Sequence, residues 1–66
     1  MNGSVEYYRD FTGCTASIRK RAGGYHLKAK TPGGVITICS KLYKTYIGAK
    51  IALGKIGSSW QMTERR

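Results

Sequence analysis

Cys14-Thr-Ala-Ser-Ile-Arg-Lys-Arg-Ala-Gly-Gly-Tyr-His-Leu-Lys-Ala-Lys-Thr-Pro-Gly-Gly-Val-Ile-Thr-Ile-Cys-Ser40 carries the pattern that decides the fold. Two glycine-bearing turns, Arg21-Ala-Gly-Gly24 and Thr31-Pro-Gly-Gly34, divide it into three short runs. Each run alternates small or apolar residues with polar or basic ones, the period of a strand with one dry and one wet face. We place strands over 14–20, 25–30 and 35–39. The inner set is Cys14, Ala16 and Ile18, then Tyr25, Leu27 and Ala29, then Ile36 and Ile38. The outer set is Thr15, Ser17 and Arg19, then His26, Lys28 and Lys30, then Val35, Thr37 and Cys39.

Parity across the turns sets the expected register. Glycine supplies the positive φ that a tight hairpin needs, and proline presets the second position of a turn. Centring the first turn on Ala22-Gly23 sets Ile18 against Leu27, Arg19 against His26 and Ser17 against Lys28. Centring the second on Pro32-Gly33 sets Ala29 against Ile36 and Leu27 against Ile38. It also sets Lys28 against Thr37 and Lys30 against Val35. Both hairpins then share one dry face, which is what specifies register in a half-buried sheet.

Outward from this stretch, the spacing predicts a helix over 46–56 with Thr45 as its N-cap. Tyr46, Ala49, Ala52, Leu53 and Ile56 recur at three- and four-residue steps and form the stripe that lies on the sheet. Ile47 and Ile51 form a second stripe, to be covered by the N-terminal arm, Trp60 or a second subunit. Gly57 is the expected stop, and Trp60 is expected to fold back onto the core. On the other side, Val5-Glu-Tyr-Tyr-Arg-Asp-Phe11 reads either as a fourth, edge strand or as a packed arm. Residues 1–4 and 61–66 read as polar, flexible tails.

Sixty-six residues make one domain, too small for a deep cleft between subdomains. Twelve Lys and Arg against three acids give a net charge of +9, which predicts attraction to polyanions rather than a fold. No run is apolar enough or long enough to span a membrane and no signal-peptide pattern stands at the N-terminus, so we expect a cytoplasmic protein. Cys14 and Cys39 have no metal-binding spacing with the single His26, and free thiols are expected. We expect no metal, no cofactor and no enzyme activity, because Glu6, Asp10 and Glu64 are the whole supply of carboxylates and all lie near the termini. Cys39 and His26 would be outer-face neighbours, but an open sheet offers them neither a pocket nor an orienting group.

The outer face offers a nucleic-acid interface instead. Arg19, His26, Lys28 and Lys30 alternate with Thr15, Ser17 and Thr37, and Lys20 and Arg21 sit at the hairpin edge. Long cations neutralise phosphates, and short hydroxyl side chains let a backbone approach. No aromatic ring falls on this face, whereas single-strand binders present rings for stacking. Double-stranded DNA is therefore the expected partner, with double-stranded RNA or an acidic protein as alternatives.

Ser17-Ile-Arg-Lys-Arg-Ala-Gly-Gly-Tyr25, with Thr31-Pro-Gly-Gly34, Tyr43-Lys-Thr45 and Ala49, resembles the DNA-binding domain at the N-terminus of phage and transposon integrases. Plant ethylene-response-factor domains share that three-stranded sheet and helix. The resemblance implies a sheet laid in the major groove through Arg19, Lys28 and Thr37, and a small regulator of phage type. It covers about residues 15–56 and brings no recombinase catalytic domain with it. Leu27-Lys-Ala29, Ile36, Ser40-Lys-Leu-Tyr43, Ala49, Leu53 and Ile56 are similar to the YegP-type repeat. That resemblance implies the same fold and, because the family occurs as tandem copies or dimers, a homodimer. The double-stranded RNA-binding domain is a more distant likeness, since its first helix has no counterpart here. The expected architecture is α+β: a three-stranded antiparallel sheet, with a fourth N-terminal edge strand left open, packed on one C-terminal helix.

Overall fold

The first hairpin forms as the alternation dictates. In the computed structural model, which describes residues 4–57 and 59–66, strand β2 spans Thr15–Arg21 and β3 spans Gly24–Lys30. They pair antiparallel with Ile18 opposite Leu27, Arg19 opposite His26 and Ser17 opposite Lys28. Ala16, Ile18, Leu27 and Ala29 are buried on the inner face. The turn is tight because Gly23 adopts a φ of 89° that residues with a side chain rarely take.

The second hairpin departs from the expected register. A single turn of 3₁₀ helix over Pro32–Gly34 replaces the two-residue turn. Gly33 and Gly34 both take positive φ, 81° and 72°. The Thr31 hydroxyl accepts from the Ile36 amide at 3.0 Å, and the Thr31 amide donates to the Ile36 carbonyl at 2.9 Å. This closed loop runs on to residue 36, so the third strand, β4, spans Thr37–Tyr43 instead of 35–39. Ala29 faces Cys39 rather than Ile36, Leu27 faces Lys41 rather than Ile38, and Lys28 faces Ser40 rather than Thr37. Lys30 faces Thr37 rather than Val35, beside a bulge.

A slip by an odd number of residues exchanges the faces of a strand. Cys39 therefore packs against the core opposite Ala29, in the place expected of Ile36, and Tyr43 packs there opposite Tyr25. Ile36 and Ile38 are left 61% and 43% exposed. The outer pairing of Cys39 with His26 is lost for the same reason. His26 Nε2 lies 3.1 Å from Ser40 Oγ instead. Both cysteines are free thiols.

The sheet is larger than expected. Val5–Arg9 forms strand β1, paired antiparallel with β2, which resolves the arm as a strand. Gln61–Arg65, expected as part of a tail, forms β5 on the far side of β1. The order is β4-β3-β2-β1-β5. The expectation of a tail over residues 1–4 falls on residues outside the described set except for Ser4, whose carbonyl accepts from the Lys20 amide at 2.9 Å. Tyr8 supplies what the arm was too apolar to leave in water. It sits opposite Ala16 and is buried in the same cluster as Ile18, Leu27, Ala49 and Leu53.

Helix α1 spans Tyr46–Ile56 and follows the expected boundaries. The Thr45 hydroxyl accepts from the Gly48 amide at 3.0 Å and caps it. Ala49 and Leu53 are buried, and Tyr46, Ala52 and Ile56 flank them. The helix packs on β3 and β4. Trp60 folds back as expected, its indole N–H donating to the Leu53 carbonyl at 3.0 Å. Gly57 ends the helix in extended backbone, and a Cβ there would stand 3.2 Å from the Trp60 ring nitrogen. Close approach of the indole is thus the use of this glycine. Among the described residues nothing covers the other stripe: Ile47 is 69% and Ile51 57% exposed, on the side of the helix away from the sheet.

Candidate nucleic-acid interface

The helix packs on one side of the sheet, and among the described residues no layer covers the opposite face. Register places its side chains in three rows that cross the strands. One row runs Gln61, Arg9, Thr15, Lys30, Thr37. The middle row runs Glu64, Tyr7, Ser17, Lys28, Ser40. The third runs Val5, Arg19, His26, Leu42. Arg66 extends it, exchanging two 2.8 Å backbone hydrogen bonds with Val5.

Most of the expected site residues come together here. Arg19, His26, Lys28 and Lys30 share the outer face, and Arg21 has the same parity at the hairpin end. Thr37 lies beside Lys30 rather than Lys28. Lys20 does not join them. It opposes Tyr25, whose ring packs edge-on against Tyr46 on the inner side, 5.7 Å between centroids.

Three features of the face were not read from the sequence. Arg9 adds a cation opposite Thr15, and Ser40 and Leu42 join Thr37 as the outer residues of β4, in place of Val35 and Cys39. The period-two spacing of Val5, Tyr7 and Arg9 carried the first signal, which the aromatic content of the arm obscured. The flip of β4 had no local signal, because it depends on how far the loop at Gly33-Gly34 extends. Most consequential is Tyr7, which puts a ring on the outer face. The preference for duplex over single strands rested on the absence of such a ring, and that argument no longer holds.

The carboxylates are all engaged within the protein. Glu64, on the β5 margin of the outer face, pairs with Arg66. Asp10 closes the β1–β2 turn, accepting from the Thr12 hydroxyl at 2.7 Å and from the Thr12 and Cys14 amides at 3.0 and 2.9 Å. These bonds, the Thr12 hydroxyl first, hold its carboxyl below the usual value. Glu6 lies on the inner side. Its Oε1 accepts from both the Tyr8 and Tyr46 hydroxyls at 2.6 Å, and its Oε2 lies 3.0 Å from the Arg65 guanidinium. Lys50 Nζ donates to the Tyr8 hydroxyl at 3.1 Å and lies over the Tyr8 ring. Glu6 and Glu64 are paired with arginines, and Asp10 keeps its charge at the turn, beside Arg9. No carboxylate is paired across the strands with Arg19, Lys28 or Lys30, and their fields add over the sheet.

The Glu6 network ties β1, β5 and α1 together. Burial opposes its ionisation, but the hydrogen bonds from Tyr46 and Tyr8 and the Arg65 charge outweigh it and hold the carboxyl below 4.5. Burial first, and then the bond to Glu6, push the Tyr8 phenol upward. A lowered carboxylate pKa contributes stability above its unfolded value, and that stability is lost as pH falls through the folded value. Wild type should therefore lose stability as pH falls below about 4.5, and Glu6→Gln should flatten that dependence. Glu6→Ala leaves two phenols without their acceptor and should cost roughly 2–3 kcal/mol in a urea titration at pH 7.

Two hollows interrupt the basic face. One is lined by Tyr7, Thr15, Ser17, Lys28 and Lys30. The second, toward β5, is lined by Arg9, Phe11, Gln61 and Thr63 among others. Among the described residues no three His, Cys, Asp or Glu side chains gather to hold a metal, and no helix is long and apolar enough to cross a membrane. No family model, curated protein or solved structure matches this chain.

Proposed function

We propose that this protein is a small nucleic-acid-binding module that works through the uncovered face of its sheet. The observation that carries this reading is the segregation of charge. Arg9, Arg19, His26, Lys28 and Lys30 share one open face, while Glu6 lies on the inner side, Asp10 in the β1–β2 turn, and Glu64 at the β5 margin, paired with Arg66. Ser17, Ser40 and Thr15 between the cations are short enough for a phosphate backbone to approach, and each can donate to it. Release of counterions would supply most of the affinity. A regulatory role of phage type, in the cytoplasm, accords with a single binding domain of this size. The test is fluorescence anisotropy of labelled oligonucleotides across a salt series. Binding whose logarithm falls linearly with log salt supports the reading, and absence of binding at low salt overturns it.

A second reading rests on a different face. Ile47 and Ile51 are exposed on the outward side of α1, between Lys44 and Lys55. An apolar pair framed by cations suits an acidic protein partner or a second copy of the chain. Trp60 packs on the core and is not part of that surface. Sedimentation of the free protein separates a homodimer from a monomer, and Ile47→Ser/Ile51→Ser would leave oligonucleotide affinity unchanged.

A further inference from the structure

We infer that the outer face is built for single-stranded nucleic acid, with Tyr7 and Phe11 as stacking platforms for bases and with Arg9, Lys28 and Lys30 as the phosphate contacts between them. The inference rests on the nucleic-acid reading above and narrows it. Two independent observations carry it.

The first is the position of Tyr7. It stands in the middle row of the basic face, opposite Ser17. Arg66 lies over its ring, 5.8 Å from the centroid. Tyr7 also lines a hollow with Thr15, Ser17, Lys28 and Lys30. A base entering that hollow can stack on the ring while its phosphate meets the lysines. The Arg66 guanidinium, itself paired with Glu64, adds a cation–π contact that holds the ring in place.

The second is Phe11. Its ring is 85% exposed at the β1–β2 turn, an unfavourable place for so large an apolar group in a marginal domain. It lines the second hollow together with Arg9, Gln61 and Asp10, whose carboxylate is turned to the Thr12 and Cys14 donors. Arg9 thus lies between two rings, one at each end of a short basic track. In a duplex the base faces are already stacked, and neither ring has anything to stack on. A single strand offers every base to a ring, whatever its sequence. Both sugars fit this chemistry, since no contact in the track selects for or against a 2′-hydroxyl.

The test compares labelled oligo(dT) and oligo(U) with a duplex of equal length at one salt concentration. Wild type should bind both single strands more tightly than the duplex. Phe11→Ala, at an exposed site that does not threaten the fold, should weaken single-strand binding roughly fivefold or more. Tyr7→Leu should do the same, Tyr7→Phe should retain affinity, and all three should leave the salt slope unchanged. Loss of affinity in Phe11→Ala and Tyr7→Leu with rescue in Tyr7→Phe supports the inference. Unchanged affinity in Phe11→Ala and Tyr7→Leu, with the duplex bound at least as tightly, overturns it and leaves the broader nucleic-acid reading standing. No binding of any probe at low salt overturns both.

Discussion

Lys28→Glu/Lys30→Glu should lower oligonucleotide affinity roughly 100-fold or more at low salt and should flatten the salt dependence by a slope of about two. Lys28 lies in the middle row and Lys30 in the row beside Arg9, so the two reversals change the charge where the face is most positive. Each reversal removes one phosphate contact and adds one repulsion. Neither lysine is part of the buried cluster, so the substitutions should leave the circular dichroism spectrum and the urea midpoint almost unmoved. A control at equal net charge sharpens the result. Lys44→Glu/Lys55→Glu, flanking the exposed stripe of α1, should cost far less affinity, because those lysines lie on the helix side of the molecule. If both pairs weakened binding equally, net charge rather than the outer face would be the determinant.

Leu27→Ala should be the most damaging single truncation. Leu27 is fully buried at the centre of β3, between Ile18 and β4 and under the helix. Removing a buried leucine side chain leaves a cavity that costs about 3 kcal/mol. A domain of this size holds only about 3–10 kcal/mol in total. Thermal unfolding should therefore fall by roughly 12–24 °C, and the variant should be close to unfolded at physiological temperature. Ile36→Ala should behave quite differently, within about 0.5 kcal/mol of wild type. Ile36 belonged to the expected core and lies exposed in the loop before β4. The contrast between Leu27 and Ile36 therefore tests the register of the second hairpin as well as the core. A large loss from Ile36→Ala would restore the two-residue turn at Pro32-Gly33.

The parts of the fold that could be read in advance are those with local causes. The first hairpin follows from strict alternation and a two-residue turn, and its register matches residue for residue. The helix follows from a cap at Thr45 and an apolar stripe, and its ends match as well. What escaped reading depends on contacts far apart in sequence. β5 is a polar segment, exposed along its length, and becomes a strand only because β1 offers it an edge. The face of β4 depends on the length of one glycine loop, which neither alternation nor turn chemistry specifies. Ile36 and Ile38 gave a persuasive inner face, and the loop turned it outward.

The candidate site shows the same division. Arg19, His26, Lys28 and Lys30 were legible because they alternate within β2 and β3. Tyr7 and Arg9 reach the same face only through the pairing of β1 with β2. That pairing changes the chemistry on offer, from cations and hydroxyls alone to cations, hydroxyls and a ring. The integrase-like resemblance spans β2 to α1 and the YegP-like one β3 to α1, and neither reaches β1, where Tyr7 stands, or Arg66 beyond β5.

Amide chemical-shift mapping during titration with oligo(dT) tests the central claim most directly, because it reports which face meets the ligand without altering a residue. The account predicts the largest shifts at Tyr7, Arg9, Ser17, Arg19, Lys28 and Lys30, with Ile47 and Ile51 unmoved. Shifts centred on Ile47, Ile51 and Lys55, with the outer face unmoved, would contradict it.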